Sequence, residues 1–166
     1  MSLEFICESG LTFGGYCKDA LFRIEKSEVR KNLGFRTVEF ILRHKDNEIL
    51  MVEAKSSSPK PGNQADFDEF IGEIYEKFVH SIDLYFSLIV KRLDGKTEEI
   101  PDFFRTADYS ALEIKLLLVI NGHAISWLPP IKDALKSQLK RHIKTWRLDV
   151  AVINHQQAAS YGLLHT

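Results

Sequence analysis

With 166 residues, 45% of them apolar and 27% charged, the chain has room for one core and the composition of a folded domain, which excludes general disorder. Its 22 basic and 23 acidic side chains leave a net charge of −1, so any preference for a polyanion must come from how charge is distributed. There is no apolar run of the ~18 residues a membrane span needs and no basic-then-apolar leader. Cys7 and Cys17 lack the CxxC spacing of a zinc module, and together these features point to a cytoplasmic protein without a membrane partner.

In chain order, Leu3–Glu8 alternates weakly and reads as a strand, followed by a loop punctuated by Gly10, Gly14 and Gly15. Ala20–Lys26 also alternates and reads as a strand. A helix competes there, because Leu21, Glu25 and Val29 are spaced by four. Ser27 is a candidate N-cap for a short helix, Glu28–Leu33, stopped by Gly34. Arg36–Arg43 and Glu48–Ser56 are rich in β-branched and aromatic or long apolar residues, and the polar His44-Lys45-Asp46-Asn47 between them is of hairpin length. Ser57–Gly62 contains two prolines and ends the second strand, and Asn63 can cap the next helix.

Asp66–Arg92 carries Phe67, Phe70, Ile71, Ile74, Phe78, Ile82, Tyr85, Phe86 and Ile89 at helical spacing, and Asp94-Gly95 is expected to end that helix. Glu99–Ser110 reads as a loop, and Glu113–Asn121 as a strand apolar enough to be buried on both faces. Pro129 and Pro130 open a helix to about Trp146, Leu148–Ile153 is a last strand, and Gln156–Leu163 a short terminal helix. A hairpin and then alternating helices and strands imply one domain, residues 1–166, of α/β class: an α+β arrangement with a central mixed β-sheet flanked by helices.

An acid followed two positions later by lysine occurs at Glu53-Ala54-Lys55, Asp94-Gly95-Lys96 and Glu113-Ile114-Lys115. Roughly two such triplets are expected by chance, so context has to separate them. Asp94–Lys96 falls in a turn, and no acid-bearing strand directly precedes Glu113. Glu53 and Lys55, by contrast, end an apolar strand whose hairpin partner carries Glu39. Period two puts Glu53 and Lys55 on one face, and paired strands ~5 Å apart can bring Glu39 beside them. Two carboxylates and a lysine in that arrangement can hold a hard cation against a phosphodiester. An alternative is a solvated cross-strand ion cluster, worth under ~1 kcal/mol.

Glu39, thirteen residues, then Glu53-x-Lys55, with apolar strands on both sides, resembles the PD-(D/E)xK nuclease superfamily over roughly residues 20–153. The resemblance implies a restriction-endonuclease-like core, a Mg²⁺ (or Mn²⁺) cofactor, and cleavage of DNA or RNA. By position, Glu39 matches the first acid, Glu53 the second and Lys55 the lysine. Glu39 replaces the usual aspartate, and Thr37-Val38 replaces the proline of the motif. The superfamily often adds an acid from a helix before the hairpin. No long helix is legible there, and Glu25 or Glu28 would have to supply that metal ligand. The glutamine-tyrosine motif of some exonuclease-like members is not matched, since Asp68 stands four residues after Gln64. The alternative function is a non-catalytic interaction module that keeps the fold, with a protein partner or a second copy of the chain.

Lys132, Lys136, Lys140 and Lys144 fall every four residues on the expected Pro129–Trp146 helix, with Arg141 and Arg147 nearby. They are candidate nucleic-acid contacts, and a solvated helix face opposite Ile131, Leu135, Leu139 and Ile143 is the competing reading. Trp127 and Trp146 flank that helix and are expected to anchor it to the core rather than stack on bases. Asp66, Asp68, Glu69, Glu73 and Glu76 read as helix-dipole and solubility residues. The six histidines show no metal-ligand spacing.

Overall fold

The computed structural model describes residues 2–95 and 100–166; Lys96 and Glu99, which fall in two of the expected features, lie outside them. Strands β1 (Leu3–Glu8) and β2 (Leu11–Cys17) form a hairpin of their own, turning at Ser9-Gly10, both with positive φ. Gly14 and Gly15 lie inside β2 rather than in a loop. Gly14 has φ 131° where the register shifts opposite Glu4 and Phe5, and a Cβ there would stand 2.5 Å from the Glu4 carbonyl oxygen. Its glycine makes a β-bulge, not a turn.

The strand expected over Ala20–Lys26 is reduced to β3 (Leu21–Phe22), between 3-10 turns at Lys18–Ala20 and Ile24–Lys26. The neighbouring strand begins only at Phe40, so the chain beyond Phe22 has little left to pair with. Alternation survives as burial: Leu21 and Phe22 enter different apolar clusters. Helix α1 (Glu28–Leu33) has both expected ends. Ser27 Oγ accepts the Arg30 N–H at 3.2 Å, and Gly34 sits at φ 68°.

The expected hairpin is present as β4 (Phe40–Lys45) and β5 (Glu48–Lys55), antiparallel around Asp46-Asn47. Residues 36–39 are unpaired approach rather than strand. The long helix α2 (Gln64–Ile89) comes next, capped by Asn63, and holds that approach. Ser81 Oγ accepts the Val38 N–H at 2.9 Å and donates to the Lys77 carbonyl at 2.7 Å, while His80 Nδ1 accepts the Arg36 N–H at 3.1 Å.

The loop expected over Glu99–Ser110 contains a short helix, α3 (Asp102–Thr106), because Phe104 is fully buried there. Then come β6 (Glu113–Ile120), α4 (Pro129–Gln138), α5 (Lys140–Trp146), β7 (Leu148–Asn154) and α6 (His155–Ser160). The single helix expected from Pro129 is broken at Leu139, which is fully buried with ψ 3° and both ends α4 and opens α5.

Strands β3-β4-β5-β6-β7 form one mixed sheet: β3, β4 and β5 are antiparallel neighbours, and β5, β6 and β7 are parallel. Ile49 and Met51 of β5 face α2 and α4; Leu50, Val52 and Ala54 face the β1–β2 hairpin and α6. The hairpin tip is tied to the carboxyl end of the sheet, since Ser9 Oγ donates to the Ala54 carbonyl at 3.0 Å and Asn121 Nδ2 donates to the Ser9 carbonyl at 3.1 Å. The protein is therefore α+β, with a five-stranded mixed sheet flanked by helices. Among the described residues no helix is long and apolar enough to cross a membrane.

Ser81 is fully buried and satisfies an equally buried N–H one residue before Glu39. Ser81→Ala should cost about 1–3 kcal/mol in urea unfolding, the penalty for orphaning a buried donor. An unchanged midpoint would show that α2 does not hold this approach.

Candidate functional site

Phe40 pairs with Val52, and the Glu39 N–H also donates to the Val52 carbonyl at 3.0 Å, so Glu39 sits at a bend just ahead of β4, against the carboxyl end of β5. Glu53 lies on the face of Met51, toward α2, and Lys55 comes two residues later on that face. Glu39 is near enough to Glu53 for that charge to raise its carboxyl.

Their partners were not all expected. Glu8, Glu25 and Glu39 are half-buried and each brings a carboxylate oxygen within 4.8 Å of the others. Glu25 comes from the 3-10 turn after β3, and Glu8 from the end of β1 just before the tied hairpin tip. Glu28, the other candidate for an acid ahead of the hairpin, bonds to Lys31 instead. Glu53 is outside this trio. It has no exposure, and its Oε1 lies 2.8 Å from Lys77 Nζ of α2 and 3.9 Å from Lys55 Nζ. The expected pairing of Glu39 with Glu53 around one cation is thus corrected to Glu39 with Glu25 and Glu8, because α2 presents Lys77 to Glu53. Lys55 is also engaged, at 2.8 Å from Glu73, which lies 3.1 Å from Arg36. Glu73 belongs to this network and is not merely a dipole or solubility residue.

Burial first, then a hydrogen bond with Glu25 and the charges of Glu53, Glu8 and Glu25, push the Glu39 carboxyl up to about 8. At neutral pH Glu39 holds a proton. Burial also raises Glu53, against the opposing pull of Lys77 and Lys55. The Lys55 hydrogen bond holds Glu73 below the usual carboxylate range. Glu53 Oε2 is buried with no hydrogen-bond partner. An all-carboxylate donor set, with one member kept protonated by burial and by its acidic neighbours, fits a hard divalent cation. Arg23, 2.5 Å from Glu25, is a cation paired directly with the trio. The surface depression lined by Glu4, Lys18, Arg23 and Lys26 takes in that arginine but none of the three acids.

The other expected features lie elsewhere. Lys132 and Lys136 are on α4, Lys140 and Lys144 on α5, so the break at Leu139 divides the stripe. Trp146 stacks on Phe86 with centroids 4.5 Å apart and anchors α5, whereas Trp127 is 52% exposed and meets only the His123 ring edge-on among the aromatic contacts. No histidine joins the acidic group. Lys77 had a sequence signal that was passed over: Glu73, Lys77 and Ser81 are spaced by four and form a polar line on α2. Glu8 had none, because its place depends on how the N-terminal hairpin docks.

The chain matches no protein-family model, no curated protein and no solved structure, so the fold and this geometry alone bear on function.

A carboxyl raised from its ordinary value of 4.5 to about 8 binds a proton in the folded state that the unfolded chain has lost. Its contribution to stability is full below pH 4.5 and disappears as pH rises toward 8. The cation-free protein should therefore lose stability across that window, and Glu39→Gln should flatten the dependence. Mn²⁺ binding must displace the same proton, so calorimetry should show affinity rising up to about tenfold per pH unit below pH 8, with proton release. Binding independent of both pH and buffer would contradict this assignment.

Proposed function

We propose that the chain is a metal-dependent nuclease of PD-(D/E)xK type, hydrolysing phosphodiester bonds of DNA or RNA. The observation that carries this is the set of glutamates converging at the carboxyl end of β5, where burial leaves Glu39 protonated near the charge of Glu53. The order of elements supports it: antiparallel β3, β4 and β5, then α2, then β6 parallel to β5, as a restriction-endonuclease-like core requires. Glu39 stands for the first acid, Glu53 for the second and Lys55 for the lysine. Glu25 and Glu8 supply what a helix ahead of the hairpin would otherwise bring.

Glu39, Glu25 and Glu8 would hold Mg²⁺ or Mn²⁺, which supplies positive charge to a phosphodiester and makes water more acidic. Lys77 neutralises Glu53 and fixes one of its oxygens, leaving Oε2 turned away from that bond. Lys55 bridges Glu73 and Glu53, so its ammonium sits beside the acids on a short tether and can turn to charge developing on a phosphoryl oxygen. Arg36 meets the same Glu73 oxygen, Oε1, at 3.1 Å, so that carboxylate keeps a cation if Lys55 turns away.

A second reading, an interaction module without catalysis, is favoured by one observation: both lysines already have carboxylate partners at 2.8 Å, as in a closed structural network. Cleavage assays separate the two. Purified chain with Mg²⁺ or Mn²⁺ should cut DNA or RNA, and Glu39→Gln and Lys55→Ala should each lower the rate by roughly 10²-fold or more. Cleavage that survives both substitutions, or none with any substrate, would assign the network to structure.

A further inference from the structure

The rim beside Lys55 carries an aromatic residue that the fold does not bury. The Asn121 N–H donates to the Lys55 carbonyl at 2.8 Å, so the loop leaving β6 starts against the end of β5. Three residues beyond Lys55, Ser58 Oγ lies 2.6 Å from His123 Nε2, tying the loop after β5 to the loop after β6. Asn154 Nδ2 of β7 donates to the His123 carbonyl at 2.9 Å and fixes that loop from its other side. The His123 ring stands perpendicular to Trp127, with centroids 5.4 Å apart. Trp127 is 52% exposed and Ile125 beside it 54%.

Trp146, 42% exposed, still has one face covered by Phe86, with centroids 4.5 Å apart, whereas Trp127 meets His123 only edge-on among the described aromatic contacts. Trp127 is instead held in place from behind and presented outward. The two loops beside it carry lysines, with Asp66 and Asp133 just beyond them. Residues 54–65 and 121–132 contain no acid, and together they carry Lys55, Lys60, Lys132 and His123. These are the loops at the carboxyl ends of parallel strands, where open sheets place their ligands.

We propose that Trp127, set by His123 and Ser58, is a stacking platform for an unpaired base of a nucleic-acid strand whose backbone runs past Lys55 to the acidic cluster. This rests on the nuclease reading and narrows its substrate to single-stranded or frayed nucleic acid. A flat indole takes any base, so the platform gives grip without sequence preference, and the lysines track the phosphates. A duplex keeps its bases stacked on one another and offers Trp127 only a terminal pair.

The test needs no metal and no cleavage. Trp127 and Trp146 are the two tryptophans, so Trp146→Phe isolates the Trp127 emission. In EDTA at low salt, short oligothymidylate and oligouridylate should quench that emission on binding. A closed hairpin duplex without free ends should not. Quenching by one oligonucleotide only names the sugar and still supports the platform. Trp127→Ala should weaken single-strand binding by roughly 5- to 150-fold, the factor expected of base–aromatic stacking, and Trp127→Phe should recover much of it. An unchanged affinity in Trp127→Ala, or equal quenching by the closed duplex, overturns the proposal and leaves the exposed pair to a protein partner. Because binding is read in EDTA, its loss is distinct from a failure of metal-dependent cleavage.

Discussion

Glu53 has no exposure, on a strand whose other residues are built for a core, and a carboxylate in that position must be met. Lys77 meets it at 2.8 Å from α2, the helix that covers this face of the sheet. The ion pair therefore does more than neutralise a charge. It fixes the rotation of α2 over β5, which in turn presents Ser81 to the Val38 N–H and Glu73 to Lys55. Removing one partner of such a pair typically costs about 3–5 kcal/mol, because the other charge stays buried. The approach to β4, and with it Glu39, hangs from the same helix. One buried charge thus bears on where Glu39 and Glu73 stand.

The trio is built by a different constraint. Glu8, Glu25 and Glu39 come from three segments apart in sequence: the end of β1, the 3-10 turn after β3 and the approach to β4. Their repulsion is relieved by Arg23 and by the proton on Glu39. A fold selected for stability alone gains nothing from that arrangement, since one amide in place of Glu39 would remove the conflict. A divalent cation turns the same geometry from a cost into a binding site.

The hairpin was legible because two strand-rich apolar segments flank a polar turn of hairpin length, which leaves few alternatives. The short helix at Glu28–Leu33 was legible because Ser27 and Gly34 are local signals. The features that stayed hidden depended on contacts remote in sequence. The strand at Ala20–Lys26 is cut short because its partner begins at Phe40, which no local pattern reports. Glu8 enters the site only because Ser9 bonds to Ala54 and Asn121. Glu73 hid among the acids of the first turns of α2, where dipole chemistry is the ordinary explanation. The lysine stripe had the right spacing for one helix, but burial of Leu139 splits that helix in two.

A cation held by Glu39, Glu25 and Glu8 is the centre on which the functional reading turns. Anomalous diffraction from crystals equilibrated with Mn²⁺ near pH 8, where Glu39 gives up its proton, tests it most directly. One anomalous peak is expected within ~2.1–2.5 Å of the Glu39 carboxylate and shared with Glu25 or Glu8, with Lys77 still bonded to Glu53. A map with no peak at the trio, its carboxylates unmoved from their metal-free positions, would contradict it.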